Sequence, residues 1–133
     1  MNIFFYAGTR SIAGEHYLEK LLGLAELKNL LILPEGSFFL SPLALELRSG
    51  DLIILFVADT QELDKLITLR NEFYDFRIII ILVNSDSETI RKAHLLQPSF
   101  ITFLEEKTVT IKAVIKKITR AEMLFEQKPA QFG

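Results

Sequence analysis

The chain has 133 residues, 50% of them hydrophobic, which suits one domain with a single substantial core. Its 15 basic and 17 acidic residues leave a formal charge of −2, a balance that gives no general attraction to nucleic acid or anionic lipid. There is no cysteine, so disulfides, zinc–thiolate sites, iron–sulfur clusters and cysteine nucleophiles are excluded.

In chain order, the apolar run ending at Tyr6 predicts a first strand over Asn2 to Tyr6. Ala7 to Arg10 then turns, and Ile12, Leu18, Leu21, Leu22 and Ala25 recur at helical spacing over Ser11 to Leu27. Leu30 to Leu33 is a second strand, stopped by Pro34 and Gly36. Ser41-Pro42 supplies an N-cap and a proline at the first helical position, opening a short helix that ends near Gly50.

Asp51 to Ala58 is the third strand. Asp59 caps the next helix in a variant of the capping box, with Glu62 expected to reach back to the cap backbone, and the helix continues towards Tyr74. Arg77 to Val83 is a fourth strand, and Ser85-Asp86-Ser87-Glu88 repeats the capping signature before a helix that Pro98 ends. Ser99 to Leu104 is a fifth strand. Val109, Ile111, Val114, Ile115 and Ile118 mark a last helix running to about Glu126.

The longest apolar runs, such as Leu52 to Ala58, fall far short of the roughly 20 residues of a transmembrane helix. No signal peptide is evident at the N-terminus, and a cytoplasmic location is the expectation. The mean hydropathy of +0.29 points to strands buried on both faces. Continuous apolar strands alternating with helices imply a parallel sheet with helices on each side, an α/β three-layer sandwich. The expected domain covers 1–126 with five strands in the order 2-1-3-4-5, and 127–133 is expected as a flexible tail.

Arg48-Ser49-Gly50-Asp51-Leu52-Ile53-Ile54-Leu55, with Phe100 to Leu104 and the following Ile111, Ala113 and Ile115, resembles the entry into the third strand, the last strand and the last helix of the receiver domain of bacterial response regulators. The resemblance covers nearly the whole chain and rests on pattern that other flavodoxin-like folds share. It implies a site at the carboxyl ends of the strands: an acidic pair after the first strand holding a divalent cation, a phosphoacceptor aspartate on the third, a hydroxyl after the fourth and a lysine after the fifth.

This chain departs from that set. Ala7 and Gly8 stand at the acidic pair, Phe56 at the phosphoacceptor and Leu104 near the lysine, while Ser85 alone keeps a hydroxyl. Magnesium prefers carboxylate and water oxygens, which alanine and glycine side chains do not supply, and phenylalanine cannot accept a phosphoryl group. The resemblance therefore implies a pseudo-receiver outside the usual two-component phosphorelay, without catalytic residues, metal or cofactor. Asp59, three residues beyond Phe56, would be a phosphoacceptor only in a shifted register.

Three functional readings stand side by side. The first is a non-enzymatic signalling module that contacts a protein partner or a second copy of itself, not nucleic acid or membrane. Its expected surface spans the fourth helix, fifth strand and last helix, with Glu88 set against Lys112, Lys116 and Arg120. Receivers commonly use this surface, and opposite charges on one surface suit a two-fold contact. The plain alternative is a monomer whose charges are solvated. The second reading is a small-ligand or anion-binding domain using Gly8, Thr9, Arg10 and Ser11, where backbone amides and a guanidinium would face the ligand. That loop lacks a full dinucleotide or Walker glycine pattern. The third is an enzyme built from scattered acids at strand ends (Glu35, Asp59, Asp86, Glu105, Glu106), for which caps and solvated loop charges are the simpler explanation. His16 and His94 are read as structural, because no motif places a nucleophile beside either.

Overall fold

Runs of isoleucine, leucine and phenylalanine too apolar for a half-solvated sheet are found in the centre of the molecule. The computed structural model describes residues 3–7, 12–21, 30–32, 50–73 and 75–132. In chain order these form β1 (Ile3–Tyr6), α1 (Ile12–Leu21), β2 (Leu30–Ile32), β3 (Leu52–Val57), α2 (Thr60–Thr68), a 3-10 turn (Arg70–Phe73), β4 (Arg77–Leu82), α3 (Ser87–His94), β5 (Phe100–Phe103) and α4 (Thr108–Phe132). The helix expected after Ser41-Pro42 lies outside the described residues.

The fold is α/β with a parallel sheet. Four strands, β1 and β3 to β5, carry it, and hydrogen-bonded neighbours follow the order β2-β1-β3-β4-β5. The second strand expected from the sequence is a three-residue edge segment, with Leu30, Leu31 and Ile32 in register with Ile3, Phe4 and Phe5.

Alternation of side chains divides the central strands between two cores. Phe4, Tyr6, Ile53, Leu55, Val57, Ile78, Ile80 and Leu82 face Leu63 and Leu66 of α2, Ala93 of α3 and Leu96 just beyond it. Ile3, Phe5, Leu52, Ile54, Phe56, Ile79 and Ile81 face Tyr17, Leu18 and Leu21 of α1 and Ile111 and Ile115 of α4. Helices therefore cover both faces, and each buried Leu, Ile or Phe contributes about 1.5–3 kcal/mol relative to exposure.

Gly50 sets the approach to β3. Its φ of 88° is open to glycine without strain, and its N–H donates to the Asp75 carbonyl at 2.8 Å, fixing the turn ahead of β4. α2 ends at Thr68 rather than near Tyr74. The Leu69 N–H bonds the Leu66 carbonyl at 3.0 Å, tightening the last turn, and the chain continues as the 3-10 turn. α4 runs past Glu126 to Phe132, so helical backbone includes residues 127–132, where a flexible tail was expected. Missing apolar periodicity does not prevent a helix where Glu126, Gln127 and Lys128 favour one.

Candidate functional site

In a parallel sheet the strand carboxyl ends share one edge, and ligands of open α/β sheets bind there. The register places Phe56 level with Ile81 and Thr102, one residue short of Val57, Leu82 and Phe103. Immediately beyond the strands come Ala7, Ala58, Val83 and Leu104. All four are half-buried and pack on the core that contains Phe56. On the α1 and α4 side the edge is thus paved with hydrocarbon, where the receiver resemblance implies carboxylates, a metal and a lysine.

Phe56 is 1% exposed, with its ring centroid 6.5 Å from Phe5 and 5.9 Å from Tyr17 at tilted angles. Such tilted aromatic pairs add to the burial of the rings themselves. The residue at the expected phosphoacceptor position is therefore a core anchor that α1 closes over.

Polar groups rim this floor, and many are committed to helix starts. Asp59 accepts the Glu62 N–H at 2.8 Å and caps α2. Asp86 accepts the Thr89 N–H at 2.7 Å and caps α3, while Asn84 Oδ1 accepts the Asp86 N–H at 3.0 Å. The Thr89 backbone amide is the main cause holding the Asp86 carboxyl below its usual range. Ser85, Glu105 and Glu106 are exposed. Burial, with the negative charge of Glu106 added, pushes the Tyr17 phenol up to about 12.

Gly8, Thr9, Arg10 and Ser11 lie outside the described residues. Of the expected contact residues, Glu88 is drawn into an ion pair with Arg91 one turn along α3, at 2.6 Å. The pair lowers the pKa of Glu88 and raises that of Arg91. Lys112 is half-buried on α4, and Lys116 and Arg120 are exposed. Glu88 and these cations sit on helices covering opposite faces of the sheet, flanking the β5 edge, rather than on one continuous face. His16 is exposed, 3.9 Å from Glu19, and His94 is exposed at the end of α3. No cluster of three or more His, Asp or Glu suited to a metal ion occurs among the described residues, nor does any helix long and apolar enough to cross a membrane.

Sequence reasoning missed the role of Glu62. Its carboxylate does not complete a capping box; it turns inward, is 6% exposed and accepts the Tyr6 hydroxyl. Its position four residues before Leu66, on the apolar stripe of α2, was the available signal.

The fold and this edge define a parallel-sheet α/β domain whose carboxyl edge is paved with hydrocarbon on the α1 and α4 side. In comparisons with known proteins, no family model, no curated protein and no solved structure matches the chain.

Proposed function

We propose that this chain is a flavodoxin-like, receiver-like domain of the cytoplasm that acts by contact with a protein partner, including a second copy of itself, and not by phosphoryl transfer. The observation that carries the reading is Phe56, which is buried against Phe5 and Tyr17 at the position where a receiver needs its aspartate. Ala7 and Leu104 beside that core add neither a metal ligand nor a cation. The contact surface in this reading is the β5 edge with α4, because an edge strand needs cover or a partner. Lys112, Lys116 and Arg120 recur at i, i+4 and i+8 along that helix. Exposed pairs contribute only about 0–1 kcal/mol each, so a stable contact also needs apolar area.

Incubation with magnesium and acetyl phosphate, or with beryllofluoride, is expected to leave the protein unmodified and its spectrum unshifted. A stoichiometric aspartyl phosphate mapped to Asp59 would overturn the reading. For the self-contact, light scattering across micromolar concentrations compares the wild type with Lys116→Glu/Arg120→Glu. A dimer lost in the double variant supports the surface; a wild type monomeric throughout removes the homodimer.

A further inference from the structure

The amino edge of the sheet, opposite the receiver-like site, holds a cavity of about 380 Å³. It opens between the turn that follows α2 and the segment that follows α3. Phe73, Phe76 and Leu96 give it an apolar wall, and Leu95, 45% exposed, stands at its side. Arg70, Asn71 and Gln97 contribute the polar lining. The volume lies within the range of small-molecule sites, and the polar share of the lining exceeds the apolar one, which suits a polar or charged ligand group.

Two observations beyond the volume mark this cavity. Arg70 is exposed and makes no ion pair or hydrogen bond with the described residues, so its guanidinium, with five donors, is open to a ligand at the cavity. Gln97 has a φ of 52°, the only positive φ of a non-glycine side chain among the described residues. Glycine would take that backbone without strain, and it would take no amide to the cavity. The same residue closes the end of α3, its N–H donating to the His94 carbonyl at 3.0 Å, which holds its side chain at the cavity.

We propose that this cavity binds a small organic carboxylate with an aromatic or branched aliphatic body. The carboxylate pairs with the Arg70 fork, Asn71 and Gln97 donate to it through their amides, and the body lies against Phe73, Phe76 and Leu96. The site is independent of the carboxyl edge and does not rest on the receiver-like reading.

Phenylacetate is the probe, with phenylacetamide as its uncharged control, titrated into the isotope-labelled full chain and followed by amide chemical shifts. The expected result is saturable shifts centred on Arg70–Phe73 and Leu95–Gln97. Arg70→Gln, at an exposed position, weakens phenylacetate about tenfold, the loss of one charge-assisted hydrogen bond, and leaves phenylacetamide unaffected. Gln97→Gly weakens the probe while thermal stability holds or rises, which a merely structural residue would not do. Shifts absent from these segments at millimolar probe, or equal binding of phenylacetate to wild type and Arg70→Gln, overturn the proposal.

Discussion

The Tyr6 hydroxyl donates to the Glu62 carboxylate at 3.3 Å, joining the last residue of β1 to the first turn of α2 across 56 positions of chain, with both residues 6% exposed. A buried carboxylate that loses a donor carries its desolvation cost alone. Tyr6→Phe is expected to destabilise by about 1–3 kcal/mol in urea unfolding. The double variant Tyr6→Phe/Glu62→Leu should recover part of that loss, because it removes the orphaned acceptor as well. A double variant less stable than Tyr6→Phe alone would show that Glu62 is held by other means.

Phe56→Asp places an aspartate where the proposed receiver-like reading expects one, but buries a carboxylate between Phe5 and Tyr17. It is expected to cost at least the roughly 3–5 kcal/mol of deleting a core phenylalanine. Ala7 offers no metal ligand there, so the variant should also remain unphosphorylated by acetyl phosphate. Denaturant midpoints and intact mass read the two outcomes, and a folded, phosphorylated Phe56→Asp protein would contradict them.

Of the three tyrosines, Tyr17 should ionise late, near 12, in an ultraviolet titration of the phenolate band. The sign follows from the raised value: the fold favours the neutral phenol. This contribution is fully present below the ordinary tyrosine pKa of about 10 and is lost as pH rises from there through the folded value. Tyr17→Phe removes the late step. Glu106→Gln should bring it down, and by less than complete exposure would, because burial is the larger cause.

Asp59→Ala removes the acceptor for the Glu62 N–H and is expected to cost about 1 kcal/mol, while Asp59→Ser, which retains a cap, costs a few tenths. Thermal unfolding of the two variants checks the difference. Equal stability for wild type and Asp59→Ala would mean that the 2.8 Å bond does not hold the start of α2.

Among the described residues, the order of strands and helices was legible because the signals were local. Ile78 to Ile81 are four consecutive isoleucines, too apolar for a strand with a wet face, and their alternation between two cores follows from the two-residue period. Asp59 and Asp86 announced their caps because a short acidic side chain before an amphipathic run has a nearby N–H to accept. That Ala7 and Phe56 carry no carboxylate was equally plain from residue type alone.

Tertiary structure decided where those residues went. Glu62 read as a capping-box partner, yet its side chain lies on the stripe shared with Leu66 and meets a hydroxyl from β1 that no local pattern could place. Glu88 read as half of an intermolecular charge pattern, but Arg91 one turn away captures it, because a neighbour on the same helix pairs at little extra entropy cost. The cavity joins Arg70 to Gln97, segments 27 residues apart, through the return of β4 and α3 to one edge of the sheet. Periodicity along a chain determines which side chains are buried; which buried or cornered side chains meet depends on crossovers that bring distant segments together.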